Sequence, residues 1–468
     1  MASLVSPLRL SFPPNTNSNF NQFHLLKHSP NPFSVSIALN TSSLNLSPSN
    51  QQASDAQFLA SPTLREFCQG RIPDHVLTRM EELGFVTPTE VQQQGLPVLF
   101  SGCDCVLHAQ TGSGKTLTYL LLVYSVINTQ RSSVQALIVV PTRELGMQVT
   151  KVARMLAAKS AECGSEQQKA GTVMALLDGG MFKRHRTWLK AEPPTIIVAT
   201  VASLCQMLDK HALDLHALKV LVIDEVDFMF NSSRQAGSVR KLLTTYSSCH
   251  SRQTVFASAS IPQHNHFLHD CVQQKWTKNN VVHVHVNRVQ PMPSRFHHRY
   301  MVCMVSPKNQ KYQALMSLLQ FDLPESAIIF VNEQSEKSRK EGGMPTTTTL
   351  IEFLKTSCTE FTNISLLEED QNFNSRAVSL LEIKKRNRYL LVATDIAARG
   401  VDLPETTHIY NLDLPKSAVH YLHRAGRTGR KPFSEDICCV TSIIAPEERF
   451  VLQRFEHELK FRCEVLSL

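Results

Sequence analysis

Two short stretches carry the side chains best suited to chemistry. The first, AQTGSGKT at 109–116, follows the apolar run CDCVL and precedes LTYLLLVYSVI, whose apolar residues read as a helix. The pattern GxxxxGK[ST] needs glycines so that backbone N–H groups can crowd around phosphate oxygens. It also needs a lysine to reach the terminal phosphates and a hydroxyl for magnesium. Thr111, Gly112, Ser113 and Gly114 form the body of such a loop, and Lys115 and Thr116 complete it, although Ala109 stands where the general pattern has glycine. The second stretch, VLVIDEVD at 220–227, sets Asp224 and Glu225 directly after four apolar residues. At a strand end beside a phosphate loop, Asp224 can hold the metal through water, and Glu225 can orient and deprotonate an attacking water.

Such a pair needs a scaffold of strands whose ends lie side by side. VQALIVV, TIIVAT, VLVIDE and TVFASAS recur before residue 261 with helical segments between them. Strand then helix, repeated, predicts an α/β fold with a parallel sheet covered by helices on both faces. At 468 residues, 42% hydrophobic and 19% charged, the chain is globular over most of its length and long enough for two or three domains. The formal net charge is +8, and Arg9 and Lys27 are the only charged residues of the first 54, so the remainder keeps +6. That excess suits a polyanionic partner. The twelve cysteines are scattered without a second pair at zinc-ligand spacing and read as reduced thiols. No run approaches the roughly 18 apolar residues of a membrane span, so no membrane partner is expected.

Residues 1–54, beginning MASLVSPLRLSF, are rich in Ser, Asn and Pro, and the first acidic residue is Asp55. With no periodic apolar face to bury, the segment is read as disordered, and it resembles a chloroplast transit peptide.

With its neighbours, the loop and carboxylate pair resembles the DEAD-box ATP-dependent RNA helicases over roughly residues 65–460. GFVTPTEVQ, preceded by Phe67, resembles the Q motif; the resemblance implies that Gln92 reads the adenine edge and Phe67 stacks on the base. Pro141, Thr142 and Arg143 of PTREL, Gly179 with Gly180, and Thr200 fall where the family touches the RNA backbone. DEVD stands in place of DEAD, and SAS keeps the two hydroxyls of the family's SAT motif; the resemblance implies that Asp227, Ser258 and Ser260 take part in coupling. After the linker-like VNRVQPMPSRF, the runs AIIFVN, YLLVATDIAARGVDLP and HRAGRTGR are similar to the motifs of the family's second domain. The resemblance implies that Asp402 holds the ribose, that Thr394 and Arg376 meet RNA, and that His423 couples the sites. Arg427 and Arg430 are then the expected arginine fingers.

The implied architecture is two tandem RecA-like domains, at 55–280 (Q motif at 65–93) and 297–468, joined by a linker at 281–296. ATP and Mg2+ are the implied ligands, with RNA as partner, protein partners supplying target choice, and a monomeric state. A nucleotide site split between two domains is complete only when they close, so ATP and RNA each favour the closed state and, by linkage, each other. Local, non-processive strand separation is the expected outcome.

Two departures bear on RNA. TVAS at 200–203 replaces the family's TPGR. LEEDQNFNSR at 367–376 puts Glu368 and Glu369 at His-Gly positions and Phe373 at a Gln, two carboxylates expected to repel a phosphate path. They motivate an alternative reading as an ATP-gated RNA clamp or assembly scaffold with weak unwinding. Residues 333–349 read as a flexible insertion, and the chain's final segment as an amphipathic helix.

Overall fold

A computed structural model of the chain describes residues 62–110, 112–158, 171–231, 235–246, 248, 250–261, 267–286, 296–303, 309–335, 338, 340–357, 364–369, 371–386, 388–398, 401, 403–404, 406–429 and 438–467. The expected transit segment 1–54, and Thr111, Asp402 and Arg430, lie outside the described residues.

Seven strands form the first sheet: β1 Cys105–His108, β2 Ala136–Val140, β3 Val173–Leu176, β4 Ile196–Thr200, β5 Val220–Asp224, β6 Gln253–Ser258 and β7 Val282–His285. Seven more form the second: β8 Phe296–Val302, β9 Ser326–Phe330, β10 Ile364–Leu367, β11 Tyr389–Ala393, β12 His408–Asn411, β13 Cys438–Ile444 and β14 Glu464–Val465. The spatial orders are β3-β4-β2-β5-β6-β1-β7 and β10-β11-β9-β12-β13-β8-β14, the same winding used twice. Every strand pair is parallel.

Parallel neighbours need crossover connections, and helices laid on both faces bury the strands completely. Alternation along each strand feeds two cores. In β2, Ala136, Ile138 and Val140 enter one and Leu137 and Val139 the other. In β11, Tyr389, Leu391 and Ala393 face one core while Leu390 and Val392 face the opposite one. Each fully buried aliphatic side chain contributes about 1.5–3 kcal/mol relative to exposure, so these strands are anchored on both sides and hold their C-terminal ends in fixed register. The phosphate loop follows β1, Pro141 follows β2, Asp224 ends β5, Ser258 ends β6 and Thr394 follows β11. All sit at C-terminal strand ends, where open parallel sheets bind ligands.

Three expectations need adjustment. The first sheet reaches into the 281–296 segment read as linker, because Val282–His285 pairs along its whole length with β1. The stretch 333–349 is not loop to its end: a helix spans Thr346–Ser357, with Thr347 and Leu350 buried. The final helix, Arg449–Leu459, is followed by β14, which pairs with β8.

Candidate nucleotide site and interdomain cleft

Gly112 and Gly114 adopt φ of +83° and +100°, a left-handed region open to glycine, and this turns the loop into the helix Lys115–Val126. A Cβ on Gly114 would come within 2.9 Å of both Gln92 Nε2 and Thr89 Oγ1, so the phosphate loop rests directly on the start of the helix Glu90–Phe100. Gln92 is buried, its Oε1 accepting from the Thr89 backbone N–H at 2.8 Å. Phe67 is half-buried against the first-sheet core.

Lys115 is buried and donates from Nζ to the carbonyls of Ala109 (2.5 Å) and Gln110 (2.8 Å). Burial lowers its pKa, while the nearby Glu225, Asp224 and Asp227 carboxylates pull in the opposite direction. Asp224 accepts from Tyr119 Oη at 2.8 Å and from the Glu225 backbone N–H at 2.9 Å. Burial raises the pKa of both Asp224 and Glu225; for Glu225 the charge on Asp227 raises it further, and His423 opposes. Glu225 has φ of +50°, a strain of about 1–2 kcal/mol for a non-glycine residue, and its buried Oε2 has no hydrogen-bond partner. Asp227 accepts from Ser258 Oγ and Ser260 Oγ, both at 2.7 Å, which joins the DEVD turn to the end of β6.

The two sheets meet at this cluster. His423 Nε2 lies 3.8 Å from Asp227 Oδ2, with both side chains almost wholly buried. Ligand-capable atoms of Glu225, Asp227 and His423 all fall within 4.8 Å of one another. A second bridge joins Arg376 Nε to Glu144 Oε1 at 2.6 Å, at side-chain exposures of 9% and 4%. The Arg376 guanidinium also donates from Nη1 to the carbonyls of Glu369 (3.0 Å) and Gln371 (2.8 Å). A third places the Arg143 guanidinium 5.6 Å from the centre of the Phe373 ring.

The helicase family profiles match here in two blocks: the DEAD/DEAH box helicase profile over residues 89–267 and the helicase conserved C-terminal domain over 310–432. DEAD-box ATP-dependent RNA helicase 58, chloroplastic, of Arabidopsis thaliana is 60% identical over 468 residues, covering 100% of this chain and 96% of that protein. The protein of the same name from Oryza sativa subsp. japonica is 64% identical over 409 residues, covering 87% and 90%. The chain belongs to the DEAD-box ATP-dependent RNA helicases. Both plant relatives are named chloroplastic, matching the plastid expected from the N-terminal segment; the chain is a chloroplast protein. S. cerevisiae Dbp5 bound to RNA and ADP BeF3 matches with a TM-score of 0.70 at 20% identity, over 87% of this chain and 96% of that one. Mss116p bound to ssRNA and AMP-PNP gives 0.71 at 21%, over 87% and 80%. At such identities the likeness shows the fold, which is that of tandem RecA-like domains.

Against that family pattern, the first-sheet residues Lys115, Thr116, Asp224, Glu225, Asp227, Ser258 and Ser260 gather at one strand-end cluster. Of the residues expected at RNA, Thr142 caps the helix Arg143–Ala157 by accepting from the Leu145 N–H at 3.3 Å. Gln235 Nε2 donates to the Pro141 carbonyl at 3.3 Å. Arg143 Nη2 is 3.3 Å from Asp178 Oδ1, and the Gly180 N–H donates to that same carboxylate at 2.9 Å, drawing Gly179 and Gly180 toward the PTREL turn. Thr200 donates to Ser203 Oγ at 3.0 Å, so the TVAS segment closes on itself as the start of a helix. Thr394 is buried with its Oγ1 unpartnered.

Arg376 is not on an open surface. It is buried in the Glu144 pair, and the neighbouring Phe373 supplies the ring under Arg143, so this departure from the family's Gln is a contact across the cleft. Glu368 Oε2 accepts from Thr347 Oγ1 at 2.7 Å. Arg427 is buried, donating to the Val401 and Ala398 carbonyls, each at 2.7 Å. Four contributors escaped the sequence reading: Tyr119, Glu144, Phe373 as a cation partner, and Arg424. Arg424 is fully buried, bonding Asp395 Oδ1 at 2.6 Å, Asn411 Oδ1 and Asn332 Oδ1 at 3.2 Å, and the Asp413 carbonyl at 2.8 Å. Only its position inside HRAGRTGR signalled it. Among the described residues, no helix is long and apolar enough to cross a membrane.

Proposed function

We propose that this chain hydrolyses ATP in response to RNA and uses closure of its two RecA-like domains for local, non-processive unwinding of short RNA duplexes or remodelling of RNA–protein contacts in the plastid. The observation that carries this reading is the junction of Glu225 and Asp227 from the first sheet with His423 from the second. Hydrolytic and coupling groups from both halves are thereby buried together.

In this reading the N–H groups of Thr111, Gly112, Ser113 and Gly114 cradle the ATP phosphates, and Lys115 exchanges its two loop carbonyls for the terminal phosphates. Gln92 and Phe67 take the adenine and Asp402 the ribose. The buried carboxylate of Asp224 and the hydroxyl of Thr116 suit a hard, oxygen-seeking cation, and the unpartnered Glu225 Oε2 fits a site built to receive another group. Asp224 and Thr116 would hold Mg2+ there, which would supply charge neutralisation of the phosphates. Glu225 takes the proton of the attacking water. Arg427, oriented by the carbonyls of Ala398 and Val401, acts with Arg430 as the finger pair on the γ-phosphate.

RNA runs over Pro141, Thr142 and Arg143, past Gly179, Gly180 and Thr200, to Thr394. We assign Arg376 to closure, as the partner of Glu144, in place of a direct RNA contact. Each base-pair step lost is worth about 1.4 kcal/mol, taking DNA stacking as guide, so one closure event separates only short duplexes. Strand displacement on a short RNA duplex under ATP tests the proposal. Displacement that vanishes in Glu225→Gln supports it. ATP hydrolysis without displacement at any protein excess would replace it with the clamp reading.

A further inference from the structure

One cluster outside the nucleotide site combines ligand-type side chains with unmet bonding. β1 and β7 pair in a register that sets Val106 beside His283 and His108 beside His285. Side chains two apart on a strand share a face, so the three histidines stand together at the edge of the first sheet. Their rings are nearly parallel, with centroids 4.0 Å apart for His108 and His285, 5.3 Å for His283 and His285 and 5.6 Å for His108 and His283. Ring nitrogens from all three lie within 4.8 Å of one another.

Stacking alone accounts for the ring geometry but not for the nitrogens. His108 Nδ1 and His283 Nε2 are buried without any hydrogen-bond partner. A buried ring nitrogen without a partner calls for an explanation, and a metal ion is one that two such nitrogens beside a third imidazole would satisfy. We propose that His108, His283 and His285 form a three-imidazole site for a borderline-soft divalent transition metal of the zinc class. The donor set is all nitrogen, which disfavours Mg2+ and Ca2+. Burial and mutual repulsion push His108 and His283 down to about 4 and lower His285 as well, so all three are neutral near pH 7 and their lone pairs are available.

Tetrahedral ligation with Zn–N bonds of about 2.0–2.1 Å requires the nitrogens to draw closer than 4.8 Å and their lone pairs to converge. Rotation of the side chain of His285, exposed on the edge strand, supplies part of that movement, and the His108 and His283 rings, 6° from parallel, must turn toward it as well. His108 is the last residue of β1, and the carbonyls of the next two residues hold Lys115. A metal here therefore clamps β7 to β1 at the root of the phosphate loop.

The test uses the full chain without a histidine tag, stripped with chelator and kept in excess Mg2+ so that the carboxylate site is occupied. Titration with Co2+ should give intense tetrahedral ligand-field bands saturating at one equivalent and displaced by Zn2+. His285→Ala and His283→Gln should each weaken binding by a factor of about 10 or more, and Zn2+ should raise Tm in the parent protein but not in either variant. Because His285 is exposed, the metal-free melting of His285→Ala should match the parent, which verifies its fold. Absence of a tetrahedral band, or a band unchanged in the doubly substituted protein, would overturn the proposal and leave the trio as packed rings.

Discussion

Replacing Glu144 by Gln should loosen closure more than it loosens either domain. The carboxylate is a charged partner of a buried guanidinium, at 2.6 Å and with side-chain exposures of 4% for Glu144 and 9% for Arg376. Breaking a buried pair from one side costs about 3–5 kcal/mol, because the remaining charge stays desolvated. Two features set the lower end. Arg376 keeps the Glu369 and Gln371 carbonyls, and separation of the domains returns its guanidinium to water. A penalty of about 3 kcal/mol falling on the closed state alone lowers the closure constant by a factor of about 100, at 1.36 kcal/mol per tenfold. Single-molecule energy transfer between dyes on the two domains, with RNA and a non-hydrolysable ATP analogue, reads this directly. The high-transfer population should fall and the RNA concentration for half-maximal ATPase should rise, with Tm little changed. The doubly exchanged Glu144→Arg, Arg376→Glu protein should recover part of the loss, as a coupled pair does. An unchanged high-transfer population and RNA requirement in a folded Glu144→Gln protein would refute the closure role.

Two further outcomes follow from the site and the core. Tyr119→Phe removes the Oη donor 2.8 Å from Asp224, a charge-assisted bond of about 1.5–3 kcal/mol. ATPase should drop about tenfold, with a higher Mg2+ requirement and an acid limb moved to higher pH; an unchanged Mg2+ titration would contradict it. His298 is buried against Phe461 with its Nε2 unpartnered, and burial pushes its pKa from 6.5 to about 3. The unfolded chain therefore binds the extra proton between these values, and stability present above about 6.5 is lost as pH falls, by at most about 1.4 kcal/mol per unit. Melting curves from pH 7 to 5 should show a shallower decline for a folded His298→Gln than for the parent.

The parts of this account visible in the sequence were those encoded locally. Apolar runs such as ALIVV, alternating between two cores, announce doubly covered parallel strands, and glycines flanking Ser113 announce the loop. What stayed hidden depends on distant pairing. Nothing in PTREL indicates that Glu144 meets Arg376, 232 residues away, or that Phe373 lies under Arg143. β7 falls inside the 281–296 stretch read as linker from the Pro and polar residues of VNRVQPMPSRF, although the alternation in VHVH is the period-2 signal of an edge strand. Glu225's positive φ also has no sequence signature, since it is imposed by the turn between β5 and the following helix.

In the proposed mechanism RNA completes an ATP site shared by two domains. Steady-state ATP hydrolysis by the chain, with and without single-stranded RNA and beside Glu225→Gln, tests it most directly. Hydrolysis should rise with RNA in the parent and be absent, with or without RNA, in the variant. Parent hydrolysis indifferent to RNA, or RNA stimulation surviving in Glu225→Gln, would contradict it.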